Sequence, residues 1–285
     1  MRALDAVELI RPLNCVLAGL AVLIGIFIAG ESFKVEWTSY YFVLAALAFA
    51  AAALITGAGN AINDYFDRDV DKVNRPKRPI PSGRIEPSTA LAAAQAMFIL
   101  GILLTVPINV WCVILAALNT LILASYAAGL KRRGIAGNIA IGYLVGSTFL
   151  FGGLVIGDLQ VASILAAMAA LATIGRELIK DIEDMKGDRT NRIVTVPLRY
   201  GERKAAGLAT AFIAAAIVLA PLPRILEIFG SVYLWVVTVS IVVFIVAAAM
   251  ILGAQDKVTA AKASLVCKVG MGIGLLAFLA ATIAL

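Results

Sequence analysis

The sequence is dominated by apolar runs about as long as a lipid bilayer is thick. They lie at residues 13–30, 40–62, 89–106, 109–128, 136–156, 160–179, 205–221, 231–253 and 263–285. A helix needs roughly 17–25 predominantly apolar residues to cross the hydrocarbon core. The chain is 62% hydrophobic, whereas soluble domains are roughly 45–50% apolar. We therefore predict an all-α integral membrane protein, a bundle of nine transmembrane helices. The second and sixth are expected to continue as helix beyond their apolar parts.

Several classes of chemistry are excluded by the residues that the chain lacks. It has no histidine, so a histidine base, a Ser-His-Asp triad and bis-histidine haem ligation are ruled out. Its three cysteines are far apart and show neither zinc nor disulfide spacing. The charged opening MRALDAVELIRPLN predicts a short amphipathic lead into the first span rather than a cleavable secretion signal.

The distribution of positive charge predicts the orientation. If the N-terminus is cytoplasmic, all of the 24 Lys and Arg residues except Lys34 and Arg224 fall on the cytoplasmic side. Cytoplasmic loops of membrane proteins carry this excess of cations. The net charge of +6 therefore has a topological explanation, and no nucleic-acid partner is expected.

One internal repeat stands out. DYFDRDVDKVNR at residues 64–75 and DIEDMKGDRTNR at residues 181–192 share the pattern D-x-x-D-x-x-x-D-x-x-N-R. Both copies follow an even-numbered span, so both are predicted to face the cytoplasm. We interpret residues 1–285 as a single transmembrane domain of two pseudo-repeats, with motifs at 63–75 and 181–192.

The repeated acids are spaced to bind a hard cation. On a helix, positions i, i+3 and i+7 fall within about 80° of one another. The three carboxylates of each motif are therefore expected on one face of a helix. The predicted ligands are Asn63, Asp64, Asp67, Asp71, Asp181, Asp184 and Asp188. An all-oxygen set selects Mg²⁺ first and Mn²⁺ or Ca²⁺ next. Two facing clusters would suit two or more Mg²⁺ ions that bridge a diphosphate. Asp69 is out of phase, and we expect it to be solvated.

Cations near the motifs are candidates for holding phosphate oxygens. They are Arg75, Lys77, Arg78, Lys131, Arg176, Lys180 and Arg192. The alternative is that these charges are solvated loops in which acids and bases form surface ion pairs.

Other polar residues near the span ends allow two interpretations each. Arg11 and Asn14, at the mouth of the first span, are either an interfacial anchor or substrate contacts. Tyr126 suits the interfacial aromatic belt, and Lys131 suits a topology cation, but both are also candidates for binding substrate. Asn119 and Asn138 are expected to form hydrogen bonds between helices.

These motifs resemble those of the UbiA-type intramembrane prenyltransferases. NDYFDRDVD matches the family's N-D-x-x-D-x-x-x-D motif, and KDIEDMKGD resembles its second aspartate-rich motif. NRPKRPIPSGRI resembles its basic segment, and nearly the whole chain is covered. The resemblance implies a helical bundle around a central cavity that opens sideways to lipid. It also implies transfer of a prenyl group from a prenyl diphosphate, with Mg²⁺ held by both motifs.

The resemblance and the chemistry together suggest residue roles. Asp67 and Asp71 are candidates to help deprotonate the acceptor, and Lys131 would stabilise the departing charge. Predicted substrate-binding residues are Arg11, Asn14, Arg75, Arg78, Tyr126, Lys131 and Lys180. Arg176 departs from the family's pattern, because many relatives have Tyr there. Roles in the second motif are correspondingly less constrained.

The acceptor is the least determined part of the prediction. The chain is most similar to archaeal members whose donor is geranylgeranyl diphosphate and whose acceptor is geranylgeranylglyceryl phosphate. A 4-hydroxybenzoate polyprenyltransferase, with an aromatic acceptor, is the alternative within the family. A membrane cation transporter is the alternative of another class. We expect a multi-pass protein of the cell membrane, in contact with membrane lipid, whose active site faces the cytoplasm and which requires no protein partner.

Overall fold

The computed structural model describes residues 3–190 and 193–283, which are mostly helical. Its helices are α1 Ala3–Ile10, α2 Pro12–Ser32, α3 Ser39–Asn74, α4 Pro87–Leu103, α5 Val110–Ala128, α6 Ile135–Ile156, α7 Gln160–Thr190, α8 Val196–Tyr200, α9 Glu202–Leu219, α10 Leu222–Ile225, α11 Ser231–Gly253 and α12 Lys257–Ile283. A 3₁₀ turn, Leu130–Arg132, joins α5 to α6. Arg2, the motif residues Asn191 and Arg192, and the last two residues of the predicted final span lie outside the described residues.

The predicted apolar spans correspond to helices. In the described ranges, 8 helices are long and apolar enough to cross a membrane, so the chain is a multi-pass membrane protein by length and composition. The predicted span 89–106 corresponds to α4, which has only 17 residues. A total of nine spans and a cytoplasmic N-terminus remain predictions. The expectation that two spans continue into charged sequence is confirmed, because α3 and α7 run through the two acidic motifs.

The bundle is built from helix pairs that surround one central space. Along one side α2 packs against α3 and α6, and α3 packs against α4 and α5. On the other side α7 packs against α6, α9 and α12, and α11 packs against α12. Contacts between α12 and α2 close the ring. The two helices that carry the acidic motifs, α3 and α7, therefore belong to opposite sides of the bundle.

Helices α2 and α6 approach each other closely at glycines. A Cβ atom on Gly25 would lie 2.7 Å from the carbonyl oxygen of Phe149, and one on Gly152 would lie 2.7 Å from the amide nitrogen of Ile26. Neither contact is tolerable, so the backbones meet only because both positions lack a side chain. Small residues allow this packing in membrane helices, where association depends on close contact.

The N-terminal lead is a separate helix that is fixed to the bundle. Arg11 separates α1 from α2 and has a left-handed backbone, with φ of 53°. The Nη1 atom of Arg84 lies 2.6 Å from Asp5 and 2.8 Å from Glu8. These ion pairs join α1 to the loop before α4. The junction places the Arg11 side chain at the end of the bundle where α3 carries its acids.

Candidate active site

A cavity of about 1500 Å³ lies inside the bundle. Its apolar part is lined by small, aliphatic and aromatic side chains that include Ala18, Val22, Ile141, Phe149 and Phe278. The charged part is formed by the C-terminal portions of α3 and α7 and by the loops that follow α3 and α5. The cavity therefore combines a charged region with a long apolar one, which is the shape that an amphiphile requires.

The predicted site residues converge on this cavity. Those that line it are Arg11, Asn14, Asn63, Asp67, Asp71, Arg75, Arg78, Tyr126, Lys131, Lys180, Asp181, Asp184 and Asp188. The two acidic motifs thus face one space although four predicted spans separate them in sequence. Asp69 is 71% exposed and bonds to Lys72, so its predicted solvated position is confirmed. Asp64 is the predicted ligand that does not line the cavity.

Lys131 connects the 3₁₀ turn after α5 to the first motif. Its Nζ donates hydrogen bonds of 2.6 Å to both carboxylate oxygens of Asp67 and of 2.9 Å to Asn63 Oδ1. Asn63 Nδ2 also donates to Asp67, at 3.1 Å. Burial lowers the pKa of the Lys131 ammonium, and the hydrogen bond and negative charge of Asp67 oppose that shift. Lys131 is therefore a positive charge fixed at the edge of the acidic cluster.

Asp64 holds two arginines behind the cavity wall. It is only 3% exposed and accepts hydrogen bonds from Arg11 at 2.6 Å and from Arg78 at 3.1 Å. Arg78 also donates to Asp71 at 2.6 Å. Asp64 thus orients cations that themselves line the cavity. In this conformation its predicted role as a metal ligand has no support from its position, and that role remains a prediction.

The second motif is supported from α6. Asn138 Nδ2 donates a 2.9 Å hydrogen bond to Asp181 Oδ2, and Asn138 itself is buried. The expected hydrogen bonds between helices are therefore confirmed for Asn138 and also for Asn119, which donates to Ser147 on α6 at 2.9 Å. Five residues before Asp181, Arg176 forms an ion pair with its neighbour Glu177.

Some cavity residues were not singled out from the sequence. Glu177 extends the acidic face of α7 by one turn, and the i, i+4 spacing to Asp181 would have revealed it. Lys257 and Lys268 of α12 also line the cavity, but their sequence context carries no motif. The loops at the charged end meet where Arg133 and Val194 form an isolated β-bridge, which no local pattern predicts.

The oxygen ligands present fit Mg²⁺ shared with a phosphate. Among the described residues, no three acidic side chains are already grouped around one ion position. Mg²⁺ is usually held by one or two carboxylates together with water and substrate phosphates, rather than by an all-protein cage. Carboxylates on two opposed helices, with cations lining the same cavity, provide that kind of divided site.

Comparison with known proteins identifies the class. Residues 17–280 match the UbiA prenyltransferase family. A digeranylgeranylglyceryl phosphate synthase of Methanothrix thermoacetophila is 43% identical over 272 residues, which cover 95% of this chain and 97% of the relative. The chain belongs to the UbiA prenyltransferase family and is similar, over almost its whole length, to its digeranylgeranylglyceryl phosphate synthases.

Solved structures agree with this assignment. A structure described as digeranylgeranylglyceryl phosphate synthase in membranes has a TM-score of 0.85 and 38% identity, with 99% of this chain and 98% of that chain covered. A UbiA homologue from Archaeoglobus fulgidus bound to GPP and Mg²⁺ has a TM-score of 0.69. At 17% identity it shows a shared fold alone, and it covers 96% of this chain and 99% of that one.

Proposed function

We propose that the chain transfers the geranylgeranyl group of geranylgeranyl diphosphate to geranylgeranylglyceryl phosphate, in a Mg²⁺-dependent step of archaeal membrane lipid biosynthesis. The observation that carries the proposal is the single cavity that joins two acidic motifs and their cations to a large apolar chamber. Digeranylgeranylglyceryl phosphate synthases that are 38–43% identical to this chain over most of their length support this acceptor.

The metal would be Mg²⁺, in two or more ions shared between the motifs and the diphosphate. The A. fulgidus homologue bound to GPP and Mg²⁺ supports the choice of ion. The proposed ligands on α3 are Asn63, Asp67 and Asp71, and those on α7 are Asp181, Asp184 and Asp188. When bound, the metal would neutralise negative charge on the leaving diphosphate.

The basic residues supply the rest of that electrostatic stabilisation. As a diphosphate enters, Lys131 and Arg78 exchange part of their bonding with carboxylates for phosphate oxygens, and Arg75 lines the cavity beside them. Fixed positive charge favours the transition state, in which the bond between the prenyl carbon and the bridging oxygen breaks. The apolar lining keeps the allylic cation away from water until the acceptor hydroxyl attacks. Asp67 or Asp71 would receive the hydroxyl proton.

The cytoplasmic orientation belongs to the same proposal. The acidic motifs lie at corresponding ends of two predicted spans. The Lys and Arg residues around them favour a cytoplasmic position for this end of the bundle. Tyr126 and Asn14 complete the charged end of the cavity, and we assign them contacts with substrate. No contact with another protein is required by this reaction.

A product assay with one donor and three acceptors tests the proposal. Purified protein in vesicles is supplied with labelled geranylgeranyl diphosphate, Mg²⁺ and geranylgeranylglyceryl phosphate, 4-hydroxybenzoate or a naphthoate. Of the three acceptors, we expect only geranylgeranylglyceryl phosphate to give a labelled product. Product with 4-hydroxybenzoate instead would assign the aromatic alternative. If no diphosphate were released with any of the three acceptors, the result would count against a prenyltransferase.

A further inference from the structure

Helix α7 presents a basic edge beside its acidic one. Arg176 and Lys180 are four residues apart and therefore lie about 40° from each other around the helix axis. The acids at positions 177, 181, 184 and 188 occupy a separate stripe, about 90° away. Both stripes line the cavity. The second motif thus has cations of its own, distinct from those that surround the first motif.

Helix α12 adds positive charge to the same wall. It packs against α7, and its Lys257 and Lys268 line the cavity. Cys267, the residue before Lys268, belongs to the same buried apolar cluster as Leu178 and Ile179 of α7. The segment of α7 that carries Arg176 and Lys180 therefore packs against the part of α12 that carries Lys268, and the two helices form one basic wall.

These cations form fewer ion pairs with carboxylates than the cations at the first motif do. Arg11, Arg78 and Lys131 all bond to carboxylates of α3. Within residues 3–190 and 193–283, by contrast, Lys180 and Lys268 form no ion pair. Arg176 pairs only with its neighbour Glu177, and its Nε is shielded from solvent without a hydrogen-bond partner. A guanidinium with unsatisfied donors is costly to bury, and an anion removes that cost.

We propose that Arg176, Lys180 and Lys268 form a second anion site, which binds the phosphate monoester of the acceptor lipid. The inference rests on the proposed function, in which donor and acceptor are both phosphorylated. The first site, with Arg78 and Lys131, then holds the donor diphosphate. Arg176 precedes Asp181 by five residues, or about 7.5 Å along the helix. An acceptor head group on the basic wall would thus be adjacent to the predicted metal ligands of α7.

The test compares how each substrate responds to loss of these cations. KM is measured for geranylgeranyl diphosphate, for geranylgeranylglyceryl phosphate and for geranylgeranylglycerol, which lacks the phosphate, in wild type, Arg176→Gln and Lys268→Gln. We expect the acceptor KM to rise roughly 10- to 100-fold, the range for a lost charged hydrogen bond, with the donor KM unchanged. The preference for the phosphorylated acceptor should shrink by a similar factor. Lys262→Gln, an exposed lysine of α12 that does not line the cavity, is the matched control.

Each result decides one question. An equal rise in the donor KM would assign these cations to the diphosphate, and an unchanged acceptor KM would overturn the second site. If wild type shows no preference for the phosphorylated acceptor, the proposed acceptor is wrong, which is a different failure. If Arg176→Gln does not fold, the same KM values are measured for Arg176→Lys and for Lys268→Gln, which changes an exposed residue. Thermal unfolding is measured for each variant.

Discussion

The Nζ atom of Lys131 lies 2.6 Å from both carboxylate oxygens of Asp67, a residue 64 positions earlier in the chain. This pair ties the 3₁₀ turn after α5 to the first acidic motif. Because both residues line the cavity, the pair also marks a place where fixed positive and negative charges face that space together.

Replacing Asp67 by Asn should lower the rate of prenyl transfer on the order of a hundred-fold or more. The substitution removes a proposed metal ligand and the partner that fixes Lys131, so electrostatic stabilisation of the leaving group is lost. Turnover is measured with saturating substrates, and expression and thermal unfolding are followed in parallel. Asp69→Asn is the control, since Asp69 is exposed and away from the cavity. Equal activity of the two variants would refute the assignment of Asp67.

At the second motif, Asn138→Ala should weaken catalysis less than Asp181→Ala does. The asparagine supports Asp181 through one hydrogen bond of 2.9 Å, and loss of such a supporting contact typically costs about 10- to 100-fold. Asp181→Ala removes the carboxylate itself and should abolish turnover while leaving the protein folded. Product formation and Mg²⁺ dependence are measured for both. A larger defect in Asn138→Ala than in Asp181→Ala would contradict this order.

Removal of divalent cations should abolish activity reversibly. Treatment with a chelator deprives the diphosphate of the ions shared between α3 and α7, and Mg²⁺ or Mn²⁺ should restore turnover. If two or more ions act together, the initial rate rises more steeply than linearly at low Mg²⁺. Full activity after exhaustive chelation, checked by elemental analysis, would exclude the metal site.

Close packing at α2 and α6 gives a prediction about stability. Gly152→Leu should lower the free energy of unfolding by about 1–3 kcal/mol, because the side chain would overlap α2. The matched control is Gly207→Ala in α9, where a Cβ meets nothing within 4 Å. Alanine should there be neutral or stabilising by up to about 1 kcal/mol. Thermal unfolding in detergent, with both variants side by side, measures the difference; a neutral Gly152→Leu would refute the close contact.

Cysteine labelling tests the orientation. The native Cys15, Cys112 and Cys267 are buried, so their background reaction should be low. In intact cells, an impermeant maleimide should label Glu36→Cys, on the predicted outer side. It should label Lys204→Cys only after permeabilisation. The reverse pattern would invert the predicted topology.

Much of the site was predictable because its residue types and spacing have few alternative uses. Repeated carboxylates in an apolar chain without histidine indicate a hard cation, and the structure brings both motifs to one cavity. Asp64 shows the limit of this reasoning. Its i, i+3, i+7 phase groups it with Asp67 and Asp71, but its carboxylate is bound by Arg11 from the start of α2 and by Arg78 from the loop after α3.

The fold was predictable for a similar reason, and its details were not. Hydrophobic length specifies where helices lie, and α3 and α7 extend past their spans as expected. With 17 residues, α4 is at the lower limit of the length that spans a bilayer, roughly 17–25 residues. Lys257 and Lys268 line the cavity because of how α12 packs against α7, and no local sequence pattern encodes that packing.

The unbroken course of α3 from apolar to charged sequence has a consequence for how substrates are handled. One continuous helix carries an apolar surface at one end and charged carboxylates at the other, with no break between them. An amphiphile can therefore align along α3 with its apolar tail in apolar surroundings and its ionic head group in polar surroundings. The proposed reaction would take place where apolar and aqueous surroundings meet, so neither lipid substrate would have to be extracted into water.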